Sequence, residues 1–203
     1  NVSATLGGSR MQNKYKKEEL RADSLTFPGV YTFANAKGPL DARPYSSKFE
    51  VNSLYALLTA SYKDYLFFDV TGRQDWSSTL ASVDMPDKNL GFFYPSVNLS
   101  FIASEYFTLP KQINYAKFRA SIAGVGSGGT DPYLTGYSYE TAGSLYSGGL
   151  QMPTTLGNGG LKPLKTNSYE VGADLRFFKS RLGIDIALYK SETKDQHLLR
   201  YVD

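Results

Sequence analysis

The chain has no cysteine, one histidine, one tryptophan and a formal net charge of only +3 over 203 residues. Each shortage removes a class of function. Without cysteine there are no disulfides and no thiolate metal sites, although the redox compartment stays open. His197 would have to anchor any histidine-based metal centre with carboxylates around it, and no ligand-spaced cluster is visible. A Ser/His/Asp triad would depend on the same residue near the chain end, and no G-x-S-x-G elbow supports one. The reading is therefore no enzyme, no metal and no cofactor, with His197 in a surface loop. The segment QNKYKKEELRAD after Met11 mixes both charge signs, so there is no basic footprint for nucleic acid. No apolar run could form a membrane helix: the longest uncharged stretch, Thr141–Leu161, is rich in Gly, Ser and Thr and reads as a loop. A mean hydropathy of −0.32 suits a soluble protein but also a membrane barrel, whose strands and loops carry many polar positions. No signal peptide opens the chain; Asn1 stands inside an alternating segment, which leads us to expect a piece of something longer.

What is abundant is tyrosine (16), phenylalanine (12) and glycine (19), a mixture suited to antiparallel β structure with a watery face. Period-two alternation predicts seven strands: Val2–Met11, Phe49–Tyr62, Tyr65–Asp75, Phe92–Ala103, Tyr115–Val125, Asn167–Phe178 and Leu182–Lys190. Pro95 lacks a backbone donor and belongs near a strand start. The connections alternate. Short ones fall near Lys63–Asp64, Ser104–Asn114 and Lys179–Arg181; long ones run over Gln12–Ser47, Trp76–Gly91 and Gly126–Lys165. Such a meander has ends that face different environments, as in a transmembrane barrel with short periplasmic turns and long extracellular loops. A tilted strand of about ten residues covers roughly 25 Å, the height of an outer-membrane apolar band.

Along each strand one face is apolar, and Leu58, Val70, Leu99 and Ile186 are assigned to lipid. The opposite face carries Asp69, Arg73, Asp75, Lys117, Arg119, Glu170, Asp174, Arg176 and Asp185, which are assigned to a wet lumen. An exposed face of a soluble sheet would leave the same pattern. Aromatic residues gather at the short connections, namely Tyr62, Tyr65, Phe67, Phe101, Tyr106, Phe107, Tyr115, Phe177 and Phe178. This fits an interfacial girdle, hairpin-end packing being the plainer explanation. Trp76, beside Arg73 and Asp75, is read as an interface residue or as part of a substrate vestibule. Tyr133, Tyr137, Tyr139 and Tyr146 dot a Gly/Ser-rich loop, where rings can stack on a substrate, dock a partner lid or simply pack the loop. Gly124–Gly129 matches G-x-G-x-x-G, but a Thr-Asp-Pro turn follows instead of the helix that a nucleotide site needs.

Four blocks resemble consecutive barrel segments of SusC/RagA-type TonB-dependent outer-membrane transporters. They are SLYALLTASYKDYLFFDVTGRQDWSSTL from Ser53, FYPSVNLSFIASEYF from Phe93, YAKFRASIAGVGSGGTDPY from Tyr115, and LKPLKTNSYEVGADLRFFKSRLGIDIALYKSETKDQ from Leu161. RQDWSSTL and SYEVGADLRFF are the most specific. The likeness is weakest over Met11–Ser47 and Thr135–Asn158, and Leu164 departs from a commonly acidic position. The resemblance implies an all-β, up-and-down barrel of about 22 strands, of which residues 1–203 would be a partial β-barrel domain, with the plug domain and the remaining strands absent. It further implies a bacterial outer-membrane location, a SusD-like surface lipoprotein as lid, a TonB complex engaging the absent plug, contact with outer-membrane lipid, and uptake of glycans or peptides. The alternatives are a TonB-dependent receptor for siderophores or cobalamin, and a soluble secreted β-sandwich that binds carbohydrate.

Overall fold

The computed structural model describes residues 1–129, 131–141 and 149–200. Its long strands are β1 (Val2–Arg21), β2 (Asp41–Tyr62), β3 (Leu66–Ser77), β4 (Gly91–Ile102) and β5 (Ile113–Ser127), then β8 (Leu164–Phe177) and β9 (Leu182–Lys194). A small hairpin of β6 (Glu140–Thr141) and β7 (Leu150–Gln151) lies between β5 and β8. The long strands form one seven-stranded antiparallel sheet in the order β1-β2-β3-β4-β5-β8-β9, so the backbone runs up and down without a crossover. This is the all-β barrel segment expected from the alternation. Among the described residues no helix is long and apolar enough to cross a membrane.

The pairing register turns the alternation of each strand into two continuous faces. One row of neighbours runs Val2, Ala60, Phe68, Leu99, Ala120, Val171, Leu188 across all the strands. The adjacent row runs Ser3, Thr59, Asp69, Asn98, Ser121, Glu170, Tyr189. A slip of one residue at any pair would put polar groups into the apolar row, so the register is strongly specified. The apolar face is bare: Ile122, Val171 and Leu188 are 57%, 55% and 68% exposed. The buried apolar residues among those described are only Leu80, Phe92, Ala103 and Ala116. A β-sandwich would bury such a face against a second sheet, so the soluble-sandwich alternative is excluded here. An apolar surface of this extent belongs against lipid or another protein.

The short-turn end is tight. Lys63 and Asp64 both adopt positive φ (46° and 57°), the pairing of conformations that suits the twist of a two-residue hairpin. Rings crowd the same end: Tyr65 lies 5.0 Å from Tyr106 and 6.0 Å from Phe101, and Phe107 packs edge-on at 4.7 Å from Tyr106. Tyr62, Tyr106, Phe107 and Phe178 nonetheless stay more than half exposed. Each packs on a neighbouring ring, Tyr62 on Tyr65, Tyr106 on Phe107 and Phe178 on Phe177, and together they still present a belt outward, as interfacial aromatics do.

The largest departure from the sequence reading is at Gln12–Ser47, expected to be a loop. There β1 and β2 continue as a paired ribbon up to Arg21↔Asp41, making strands of 20 and 22 residues. Alternation fails as a signal because both faces of a two-stranded ribbon lie in water; cross-strand pairs such as Tyr15–Tyr45, 6.1 Å apart, hold it instead. Asn35 organises the tip: its side-chain amide donates to the carbonyls of Phe27 and Val30 and its side-chain oxygen accepts from the Phe27 amide. Pro95 sits inside β4, beside the first β4–β5 pair, Ser96↔Ala123, where the β5 ladder has not yet begun to demand its missing donor. The gap above is filled by the rings of Phe92 and Tyr94, stacked at 6.1 Å, and a Cβ on Gly126 would meet Phe92 at 2.5 Å.

These faces predict an asymmetry. In the full-length barrel, Leu99→Arg should cost about 2–4 kcal/mol. Asn98→Arg, on the polar row beside Asp69, should cost far less. Urea unfolding in lipid vesicles measures both; equal losses would mean that the faces are wrongly assigned.

Candidate functional site

The polar face holds two side-chain networks. Near the long-loop end, Arg73 on β3 donates through Nε to Asp75 Oδ1 at 2.7 Å and through Nη2 to Ser53 Oγ on β2 at 2.9 Å. Tyr94 on β4 donates its hydroxyl to Asp75 Oδ2 at 2.6 Å. Asp75 and Ser53 are buried, 5% and 4% exposed, so this charge is paired and hydrogen-bonded as a buried charge must be. The Arg73–Asp75 pair was legible in the sequence as i, i+2 on one strand face. Ser53 and Tyr94 were not, because only the register brings them alongside.

The second network crosses three strands. Arg119 on β5 reaches Glu170 Oε1 on β8 at 3.3 Å and Asp185 Oδ1 on β9 at 3.0 Å. To do so it passes over Gly172, its direct neighbour on β8; a Cβ there would meet Arg119 Nε at 2.7 Å. Glycine is thus required at this place for a close approach rather than for a turn. Asp69, Lys117 and Arg119 border one groove on this face together with Phe67, Asn98 and Ser100. Toward the short turns, Asp174 pairs with Arg176 at 3.5 Å, and the Arg176 guanidinium lies 5.0 Å from the centre of the Tyr115 ring. Trp76 does not join these groups. Its register partners are Asn52 and Gly91, at the upper edge of the apolar face, where it is 38% exposed.

The long-loop end is woven together. Ser77 and Thr79 share a 2.7 Å hydrogen bond, and Thr79 donates onward to the Gly128 carbonyl at 2.6 Å. Thr135 donates to the Ala81 carbonyl. Lys88 donates to the carbonyls of Gly159 and Leu161 at 2.8 and 2.6 Å, and burial pushes its pKa below the ordinary lysine value. The β3–β4 loop is thereby tied to the β5–β8 loop. Of the candidate tyrosines, Tyr133 is anchored, its hydroxyl accepting from the Lys48 amide at 3.2 Å. Tyr137 and Tyr139 are each 60% exposed, and Tyr146 lies outside the described residues. His197 is half-buried and contacts the Lys162 carbonyl through Nε2 at 2.7 Å. Ser127 ends β5 at the glycine-rich segment, and among the described residues no helix follows there to hold a nucleotide phosphate.

The profile of the family "TonB dependent receptor-like, beta-barrel" matches residues 3–203. The chain belongs to this TonB-dependent receptor barrel family. Membership puts it in the bacterial outer membrane, in agreement with a sheet that is apolar on one face and charged on the other. No curated protein matches the sequence. Among solved structures, a chain of the RagAB peptide transporter is similar at a TM-score of 0.70 and 17% identity, over 95% of this chain and 21% of that one. The RagAB peptide importer in its closed-closed state gives 0.70 and 17% over 96% and 21%, and in its open-open state 0.66 and 17% over 93% and 20%. At that identity the likeness establishes the fold, and the chain spans about a fifth of the length of these structures.

The upper network makes a stability prediction. Tyr94→Phe in the full-length receptor should lose about 1.5–3 kcal/mol, the worth of a hydrogen bond to a charged group. Asp75→Ala should lose more, since it strands Arg73 and Tyr94 together; unfolding in detergent with increasing urea compares them. A neutral Tyr94→Phe would show that the contact is not worth its geometry.

Proposed function

We propose that this chain is part of the wall and mouth of a TonB-dependent nutrient importer for glycans or peptides, working with a SusD-like surface lipoprotein. Residues 1–203 would be one portion of its barrel domain, alongside a plug that the TonB complex engages. The observation that carries the reading is the pair of unbroken rows, one wholly apolar and, beside it, one polar; the first suits lipid and the second a wet conduit.

In this arrangement the polar face acts without covalent chemistry. Asp69, Arg73, Asp75, Lys117, Arg119, Glu170, Asp174, Arg176 and Asp185 line a wet passage. Arg73 pairs with Asp75, Arg119 with Glu170 and Asp185, and Arg176 with Asp174, so that a polar solute meets many weak hydrogen-bonding partners instead of one strong trap. The long-loop end faces outward. Its knitted base holds Tyr137 and Tyr139 at the surface, where rings stack on sugar faces or pack on a peptide or lid. Trp76 is the exception among the proposed contacts: its place at the edge of the apolar face suits an interfacial anchor better than a vestibule wall.

Two experiments test this. Cysteines placed at Ser180, in a short turn, and at Ser82, in a long loop, are challenged in intact cells with an impermeant thiol reagent. Ser82→Cys should label and Ser180→Cys should not; the reverse pattern inverts the topology. A strain lacking the full-length receptor is then complemented with wild type, Tyr137→Ala or Tyr139→Ala and supplied with labelled oligosaccharides and oligopeptides. Wild type should restore TonB-dependent uptake of one class, and each alanine should reduce it several-fold at matched surface level. Restored growth on ferric siderophore or cobalamin alone would replace this reading with the other receptor class.

A further inference from the structure

We propose that the outward side of the β1–β2 hairpin, just above the apolar band, binds the phosphorylated headgroup of a lipid in the outer leaflet. The inference uses the orientation given above but does not depend on which solute is imported.

The register fixes the heights. The last apolar pair on the outward face is Leu54↔Gly8; the next is Asn52↔Arg10, with Trp76 alongside. Above it come Gln12↔Glu50, then Lys14↔Lys48, then Lys16↔Ser46. Four residues from Asn52 to Lys48 rise about 13 Å along the strand, or roughly 9 Å along the membrane normal at a 45° tilt. A headgroup layer is about 5–8 Å deep. Lys14 and Lys48 therefore stand just above the headgroup layer, within reach of it through their long side chains, and Lys48 is on the strand beside an interfacial tryptophan.

Among the described residues no carboxylate pairs with them. Glu50 is the carboxylate closest in register, and it is committed to Arg10 at 2.8 Å, with Asn52 at 3.1 Å and Gln12 at 3.4 Å. Glu18, one step beyond Lys16 on the same face, makes no ion pair, and among the described residues none is formed by Lys14, Lys16 or Lys48. On the other face of the same ribbon, Lys17 does pair with Glu19, at 2.5 Å. Two ammonium groups directly opposite on one sheet face repel, and a bridging dianion converts that repulsion into attraction. The backbone beneath them is fixed: the Lys48 amide donates to Tyr133 and the Glu50 amide to Ser78 Oγ at 2.9 Å. Lys48 also borders an open groove of about 320 Å³ with Glu50, Asn52, Trp76, Ser78 and Leu90. A headgroup phosphate would sit between the lysines, with its sugar or acyl stem running down past Trp76 onto the apolar face.

The test uses the full-length receptor, delipidated in detergent and titrated with diphosphorylated lipid A or with dephosphorylated lipid A, with adducts counted by native mass spectrometry. The phosphorylated lipid should bind at least about tenfold more tightly. The combined Lys14→Gln, Lys16→Gln, Lys48→Gln variant should lose up to about 100-fold, from about 1 kcal/mol per lysine near a charged surface. Lys63→Gln, in a short turn, should change nothing. Equal binding of the two lipids by wild type overturns the proposal and needs no variant to fold. A triple variant that keeps its phosphate preference also overturns it, as does displacement by millimolar inorganic phosphate, which would mark a free-anion site.

Discussion

Everything in this molecule depends on the antiparallel ladder and its register. Within hydrocarbon no water is present to satisfy a backbone amide, so each strand must pair with its neighbours along the whole apolar band. The pairing that meets this demand also aligns the side chains. Val2 through Leu188 form one apolar row because seven strands share a register, not because any one of them is strongly hydrophobic. The register shift at Ile113/Tyr115 falls at the short-turn end of β5, where it leaves the central rows undisturbed.

Burial is inverted relative to a soluble domain. The sheet has almost no interior of its own, and the tightest packing is at the base of the long loops, where Leu80, Ser77, Thr79 and Thr135 are almost wholly enclosed. Those loops give their polar groups to one another, so the exposed rings project from a firm base. Such a division would suit the proposed importer, which must hold a wide opening while offering adaptable contact at its edge. The polar face is firm for a related reason. Arg119 bridges β5, β8 and β9 because Gly172 leaves room, and the Asp75 carboxylate is served in its buried place by both Arg73 and Tyr94.

The β1–β2 ribbon follows a different logic. Once it rises beyond the band, neither face has a lipid or core to satisfy, and its sequence turns to tyrosine, lysine and glutamate. The membrane boundary is crossed within a single pair, from Leu54↔Gly8 to Asn52↔Arg10. That sharp change is what makes the opposed Lys14–Lys48 pair conspicuous, since in the proposed orientation charge there meets headgroups and not bulk water alone.

The sequence by itself determined the strands in the band, their faces and the alternation of short and long connections. Period-two patterning is a local property, and lipid on one side with water on the other imprints it on every crossing. It also carried the family, through blocks such as RQDWSSTL and SYEVGADLRFF. It did not determine the ribbon over Gln12–Ser47, because a two-faced wet hairpin leaves no hydrophobic period. Nor did it determine which polar residues meet. Arg73 with Asp75 was visible two positions apart, but Ser53, Tyr94, Gly172 and the opposed lysines come together only across strands. Tertiary structure decided those, because a cross-strand neighbour is set by register, and register is a property of the whole ladder.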